Sequence, residues 1–227
     1  MLVEFGDTID AALNDAVVAL DRAMAQARLP GVVETIPTYR SLLIEFEPRD
    51  VAFDHLAAGV QALLRGVQAN PSLAAGRQLV VPAAYDPGFG DDLGDVADAL
   101  GLEPHEVVAA HLAAEYRIYM IGFMPGFAYL GGLPARLRLP RRAAPRAHAP
   151  AGSVMIGGGQ AGIAATPLPT GWYVIGRTPA RGFDAARAEP FLFRAGDRVR
   201  FRAIGDDEFA GLAARAAEGA PVVEVIA

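Results

Sequence analysis

The sequence contains no cysteine and no lysine. Without cysteine there are no disulfides, thiolate metal sites or thiol nucleophiles, a usage that fits a reducing compartment. Without lysine, Schiff-base chemistry, a lysine general base and a Walker-type loop all drop out, because that loop needs its lysine to reach the terminal phosphates. All twenty basic residues are arginine. If such a chain takes part in ATP chemistry, another polypeptide has to bind most of the nucleotide. Serine is also scarce: Ser41, Ser72 and Ser153 are the only three, and none sits in a G-x-S-x-G elbow, which argues against a serine hydrolase. No window approaches the roughly eighteen uninterrupted apolar residues a membrane span requires. Glu4 and Asp7 stand where a targeting peptide would carry basic residues. The chain therefore reads as soluble and cytoplasmic. A net charge of −6 is the wrong sign for a general nucleic-acid binder. One local exception is the run Arg136, Arg138, Arg141, Arg142 and Arg146. Such a run either packs against acidic neighbours or forms an anion- or partner-docking surface.

With 227 residues, 52% of them hydrophobic, there is material for one large domain or two small ones. Leu2 to Phe5 reads as a short strand, and Asp7-Thr8 offers an N-cap to a helix with the stripe Ile9, Leu13, Val17, Leu20 and Met24. Val32 to Ile36 and Ser41 to Phe46 are β-type runs, followed by a helix from about Asp50 to Val67, the Asn70-Pro71 break and a strand Gln78 to Val81. The order β-α-β-β-α-β is that of a ferredoxin-like split βαβ unit. A domain boundary is expected near residue 82, giving an α+β chain with one domain over 1–82 and a second over 83–227.

The second part opens with helices Asp92 to Leu100 and Pro104 to about Glu115. From Tyr119 to Phe183 glycine and proline then recur every few residues between short apolar runs, which is how a small β-barrel is written. Strands are expected at Tyr116 to Phe123, Ser153 to Ile156, Gly162 to Ala165, Trp172 to Gly176 and Arg198 to Phe201. A helix at Asp206 to Ala217 and a run Val222 to Ile226 close the chain. Aromatic residues beside bare backbone are also what a ligand groove needs. Gly157-Gly158-Gly159-Gln160-Ala161-Gly162 matches G-x-G-x-x-G, but Pro167 and Pro169 forbid the helix that a dinucleotide site requires. These glycines read instead as a tight turn at a barrel rim. His105 and His111 superficially suggest H-E-x-x-H, yet six residues of separation turn them about 120° apart on a helix, so they cannot share a metal. His111 is either a core histidine or a functional one.

Several stretches in one order carry a resemblance. They are Ile36-Pro37-Thr38-Tyr39-Arg40-Ser41-Leu42-Leu43, Phe89-Gly90-Asp91-Asp92-Leu93 and Gly122-Phe123-Met124-Pro125-Gly126-Phe127-Ala128-Tyr129-Leu130. Pro140-Arg141, Pro145-Arg146, Pro150-Ala151-Gly152-Ser153-Val154, Gly159-Gln160, Gly171-Trp172 and Ile175-Gly176-Arg177-Thr178-Pro179 follow. Together they resemble the allophanate hydrolase subunit 1 or KipI family, now mostly described as the B component of bacterial 5-oxoprolinase. The resemblance implies a ferredoxin-like N-terminal domain and a cyclophilin-like β-barrel. It also implies one part of an ATP-dependent enzyme that opens the ring of 5-oxoproline to glutamate together with the C and A subunits, inactive by itself and with no metal of its own. Because the lactam is an unstrained amide, its cleavage is coupled to ATP, which makes the carbonyl carbon electrophilic to water. On this likeness Arg146, Gln160 and Arg177 are candidate donors and His111 a proton carrier. Phe123, Phe127 and Tyr129 wall the groove, with Gly158 and Gly159 beside it. The chain departs from the family pattern at Ala161 and Ala164, where a hydroxyl and an aromatic ring are usual and both are expected on the rim beside Gln160. The alternatives are a KipI-like inhibitor of a histidine kinase, or a subunit of a urea carboxylase or allophanate hydrolase, the former needing a biotin-carrying partner.

Overall fold

The computed structural model describes residues 1–68 and 76–226. By internal contacts the chain divides into Met1–Gly76 and Arg77–Ala227. The expected Asn70-Pro71 break and Ser72 lie outside the described residues.

The first unit contains β1 (Leu2–Glu4), α1 (Ala11–Ala27), β2 (Val32–Pro37), β3 (Ser41–Phe46) and α2 (Phe53–Gln68). Its antiparallel sheet has the order β1-β3-β2. Val17, Leu20 and Met24 of α1 share a core with Leu42 and Ile44 of β3 and Leu56 and Val60 of α2, because period 3.6 on the helices and period 2 on the strand put these residues on single faces. α1 starts later than Asp7-Thr8 suggested: Asp10 is the N-cap, its carboxylate accepting from the amides of Ala12 and Leu13. Ile9 therefore lies before the helix, exposed and outside the core.

The strand expected to complete that sheet belongs to the second unit. β4 (Gln78–Ala83) pairs in parallel with β12 (Arg198–Ala203), and antiparallel with β13 (Glu224–Val225). Its run Leu-Val-Val-Pro-Ala is apolar at every position, the pattern of a strand covered on both faces, and Arg77 fixes its start. The Arg77 guanidinium and backbone amide donate to the buried carboxylate of Asp197 in the turn before β12. The other elements are α3 (Leu93–Leu100), α4 (Pro104–Leu112), β5 (Tyr116–Ile121), β6 (Ala128–Gly131), β7 (Arg146–Ala149), β8 (Ser153–Gly157), β9 (Gln160–Ile163), β10 (Leu168–Thr170), β11 (Tyr173–Arg177) and α5 (Asp206–Ala217). The main sheet runs β11-β8-β9-β6-β5-β12-β4-β13, with β10 and β7 as a separate ribbon. Reciprocal backbone hydrogen bonds between Ala84 and Arg177, 2.8 and 2.9 Å, join the end of β4 to β11. The edge strand β11 is thus tied back to β4, next to last in the order, and Leu79, Ile118, Leu130, Ile156, Ile163 and Ile175 fill the enclosed core.

β8 and β11 are buried on both faces. Val154, Ile156 and Ile175 point into the main core, while Met155 and Val174 belong to a second apolar layer with Phe127, Ala149, Leu168 and Trp172. No helix among the described residues is long and apolar enough to cross a membrane.

Candidate functional site

The second apolar layer opens to solvent as a small cleft of about 180 Å³, lined by Phe123, Phe127, Tyr129, Arg141, Leu168, Pro169, Thr170, Gly171 and Trp172. The backbone explains why these rings gather. Gly162 on β9 and Gly157 on β8 lack side chains where Trp172 packs; a Cβ on Gly162 would stand 3.0 Å from Trp172 and 3.1 Å from Phe127. Phe127, Tyr129 and Trp172 then contact one another with centroids 4.6–6.1 Å apart, in tilted or edge-on geometry, the arrangement aromatic quadrupoles favour. Phe123 completes the wall, 6.2 Å from Phe127 and edge-on to it. It is 68% exposed and has φ = 68°. A non-glycine residue in the left-handed region is strained, and such strain concentrates at functional positions.

Arg141 is the one charged residue lining the cleft. Its guanidinium sits over the Trp172 ring at 5.6 Å, and its stem passes Gly158, whose missing Cβ would lie 3.6 Å from Arg141 Nε. Burial raises the pKa of Tyr129 and the nearby Arg141 opposes that rise, so the phenol stays protonated. The Thr170 hydroxyl accepts from the amide of Trp172 at 3.0 Å and keeps its own proton.

Two other arginines of the cluster point elsewhere. Asp92, 2% exposed, accepts from Arg142 at 2.6 Å and from Arg146 through one oxygen, and from the amide of Val174 at 2.8 Å through the other. Arg146 also donates to Asp91 at 2.8 Å. Arg146 is thus neutralised by the chain's own carboxylates and does not line the aromatic cleft. Arg177 helps close the sheet with its backbone, while its guanidinium donates to Gly88 O and lies 5.5 Å over Phe89.

His111 is fully buried on α4. Its Nδ1 shares a 2.6 Å hydrogen bond with the Tyr116 hydroxyl, and its ring packs against Tyr85, Tyr116 and Phe201. Burial alone lowers its pKa to about 3, so the ring is neutral. It does not reach the cleft.

Gly158 and Gly159, both with positive φ, form the two-residue turn between β8 and β9, as a type I′ hairpin requires. The Gly158 amide donates back to Leu139 O, and no helix follows. Gln160 opens β9 opposite Gly157. Ala161 and Ala164 are not on the rim. Both are completely buried, Ala161 in the main core and Ala164 in the second apolar layer. Strand alternation turns residue 161 inward, so a hydroxyl there would sit among aliphatic side chains.

The structure therefore brings Phe123, Phe127, Tyr129 and Gly158 together with Arg141, Thr170 and Trp172, and leaves His111, Arg146 and Arg177 in other surroundings. Sequence reading passed over Arg141 as a site residue although it stands in both the arginine run and the Pro140-Arg141 motif. Trp172, the single tryptophan, carried a signal in Gly171-Trp172. Among the described residues no cluster of three or more His, Asp or Glu side chains is placed to hold a metal ion.

The profile of the family described as carboxyltransferase domain, subdomain C and D, matches residues 1–193. The protein of Bacillus subtilis (strain 168) named as the B subunit of 5-oxoprolinase is 35% identical over 219 residues, covering 92% of this chain and 91% of its own length. The protein of the same name from Escherichia coli O157:H7 is 42% identical over 175 residues, 76% of this chain and 78% of its own. The crystal structure of TTHA0988 superposes with a TM-score of 0.81 at 35% identity over 91% of this chain, which spans only 39% of that longer polypeptide. A match of this extent in sequence and fold shows that the chain belongs to the carboxyltransferase subdomain C and D family, alongside the proteins named as B subunits of 5-oxoprolinase.

Proposed function

We propose that the chain is the B subunit of an ATP-dependent 5-oxoprolinase, converting 5-oxoproline, ATP and water to glutamate, ADP and phosphate with the C and A subunits in the cytoplasm. The single observation that carries this reading is the ring-walled cleft with one cation, in a chain 35–42% identical to proteins of that name. Its volume suits a small ring and its substituent, not a nucleotide. Aromatic walls, Tyr129 among them, would hold the flat lactam, while the Thr170 hydroxyl lines the same cleft and can donate to its carbonyl oxygen. A donor aimed at that oxygen gains strength as negative charge grows on it, which assists water attack at the carbon.

A wider depression of about 660 Å³ is lined by Asp86 and Asp91 and by no arginine. That sign of charge does not suit a triphosphate. With no lysine and no phosphate loop either, ATP falls mainly to the partner subunits, and the chain alone is inactive. In this proposal Gln160, Arg146, Arg177 and His111 support the site and its docking face without contacting the lactam. The two units would be the two domains of the family; the first carries only β-α-β-β-α of the expected ferredoxin-like order, because β4 pairs in the second sheet and the boundary lies ahead of it instead of near residue 82.

The test is to reconstitute the chain with the A and C subunits and assay 5-oxoproline-dependent ATP hydrolysis. Wild-type complex should turn over, the chain alone should not, and Trp172→Ala should lose at least tenfold in kcat/KM. Full activity of Trp172→Ala would remove the cleft from the reaction. The exposed ring of Phe123 also suits a second reading, docking on a kinase helix as a KipI-like inhibitor. That reading requires the pure chain to suppress histidine-kinase autophosphorylation.

A further inference from the structure

In the acidic chain (net charge −6), the cleft is lined by a single charged side chain, and that side chain is a cation. The neighbouring arginines are committed to the chain's own oxygens: Arg142 to Asp92 and Asp95, Arg146 to Asp91 and Asp92, Arg177 to Gly88 O. Arg141 has no carboxylate or carbonyl partner among the described residues; its guanidinium lies against the face of Trp172. A guanidinium on an aromatic face is held in place while its N–H fork stays open to an anion. Gly158 and Gly171 leave room on either side of its stem, with the nearest approaches of a hypothetical Cβ at 3.6 and 3.9 Å.

We propose that Arg141 is the carboxylate-binding residue of the cleft, and that it restricts the site to small-ring lactams carrying an anionic substituent next to the ring nitrogen. This assignment rests on the lactam-binding reading of the same cleft. Two parallel N–H···O bonds to a carboxylate fix orientation as well as affinity. With the carboxylate pinned at Arg141 near the mouth, the ring lies against Phe127 and Trp172, and its carbonyl faces the hydroxyl of Thr170. A lactam without the carboxylate keeps the ring contacts and loses the anchor.

The experiment compares 5-oxoproline with 2-pyrrolidinone, the same ring lacking the carboxylate, in the reconstituted complex carrying wild-type chain, Arg141→Ala, Arg141→Lys or Trp172→Ala. Circular dichroism checks that each variant is folded. KM and kcat are measured for 5-oxoproline, and the inhibition constant for 2-pyrrolidinone. Arg141→Ala should raise KM for 5-oxoproline by about 10- to 100-fold, the size of a lost charge-assisted pair, with a smaller change in kcat. Its inhibition constant for 2-pyrrolidinone should stay within about twofold of wild type, and Arg141→Lys should recover part of the loss. Equal weakening of both ligands would make Arg141 a structural residue and overturn the assignment, as would an unchanged KM. Trp172→Ala separates the two levels: if it weakens both ligands while Arg141→Ala weakens neither, only the carboxylate assignment fails. If Trp172→Ala also affects neither, the cleft reading fails with it.

Discussion

Removing the Asp92 side chain should be among the most damaging single changes in the second unit, and its cost can be worked from the contacts. Asp92→Ala leaves the buried amide of Val174 without its acceptor, about 1–3 kcal/mol. It also strips Arg142 and Arg146 of the carboxylate they share. Breaking a pair with one buried member costs about 3–5 kcal/mol, but both guanidiniums remain about a quarter exposed and recover hydration. The net expectation is about 3 kcal/mol, a drop of roughly 6–12 °C in Tm for a unit of this size. The assay is urea unfolding of the whole chain followed by Trp172 fluorescence, since the only tryptophan lies two residues from the Val174 amide. Asp92→Asn keeps an oxygen for Val174 and should cost about half as much. Asp95→Asn is the control: its carboxylate is 3.7 Å from Arg142 and 68% exposed, so its loss should cost under about 0.5 kcal/mol. A cost below about 1 kcal/mol for Asp92→Ala, or one equal to the control, would refute this reasoning. The damage should also reach the cleft, because Arg142, next to Arg141, donates its amide to Gly171 O at 2.8 Å.

Three further outcomes are expected. Gly162→Ala places a methyl 3.0 Å from Trp172, 3.1 Å from Phe127 and 3.3 Å from Ala128 O; this overpacking should cost about 1–3 kcal/mol, shift Trp172 emission and weaken 5-oxoproline binding, read by thermal melt and fluorescence titration. His111 is neutral when folded, with its pKa lowered from 6.5 to about 3, so the unfolded chain alone gains its proton as pH falls below about 6.5. Stability should therefore decline between about pH 6.5 and pH 3 and gain nothing further from this residue below that, with a slope near 1.4 kcal/mol per pH unit around pH 5. His111→Leu with Tyr116→Phe, measured by urea unfolding across pH 5–7, should remove that slope. Phe123→Gly relieves the left-handed backbone and should leave stability within about 1 kcal/mol, while reducing the affinity of whatever the exposed ring contacts, measured by KM in the complex.

How much was legible in the sequence depended on how local the cause was. The helix Asp206 to Ala217 was read with the boundaries it has, because its amphipathic pattern and its acidic first turn are carried by twelve adjacent residues. The Gly158-Gly159 turn was legible for the same reason. β4 was assigned to the wrong sheet because its apolar run says only that it is covered, and its partner Arg198–Ala203 lies far along the chain. β6, β7 and β10, of three or four residues each, are too short to show a period. The barrel-rim placement of Ala161 and Ala164 failed through strand register, since one residue of alternation decides between core and rim. At the site, the rings of Phe127 and Tyr129 were read from their glycine-rich setting. Arg141 and Arg146 could not be told apart in sequence, because what separates them is Asp91 and Asp92, some 50 positions away and brought in by folding.

The β4 pairing has a consequence during synthesis. Arg77 and the Asp197 carboxylate that anchors it are 120 residues apart, and β4 finds its parallel neighbour only in Arg198–Ala203. A ribosome that has released Met1–Gly76 has released every strand of the first sheet, whereas β4 then emerges with nothing to zip onto. At about 5–20 residues per second, a greasy ribbon with two open flanks stays without its neighbour for roughly 6–25 s. Nascent chains stalled before Arg198 should accordingly be the ones that holdase chaperones retain and that aggregate when released.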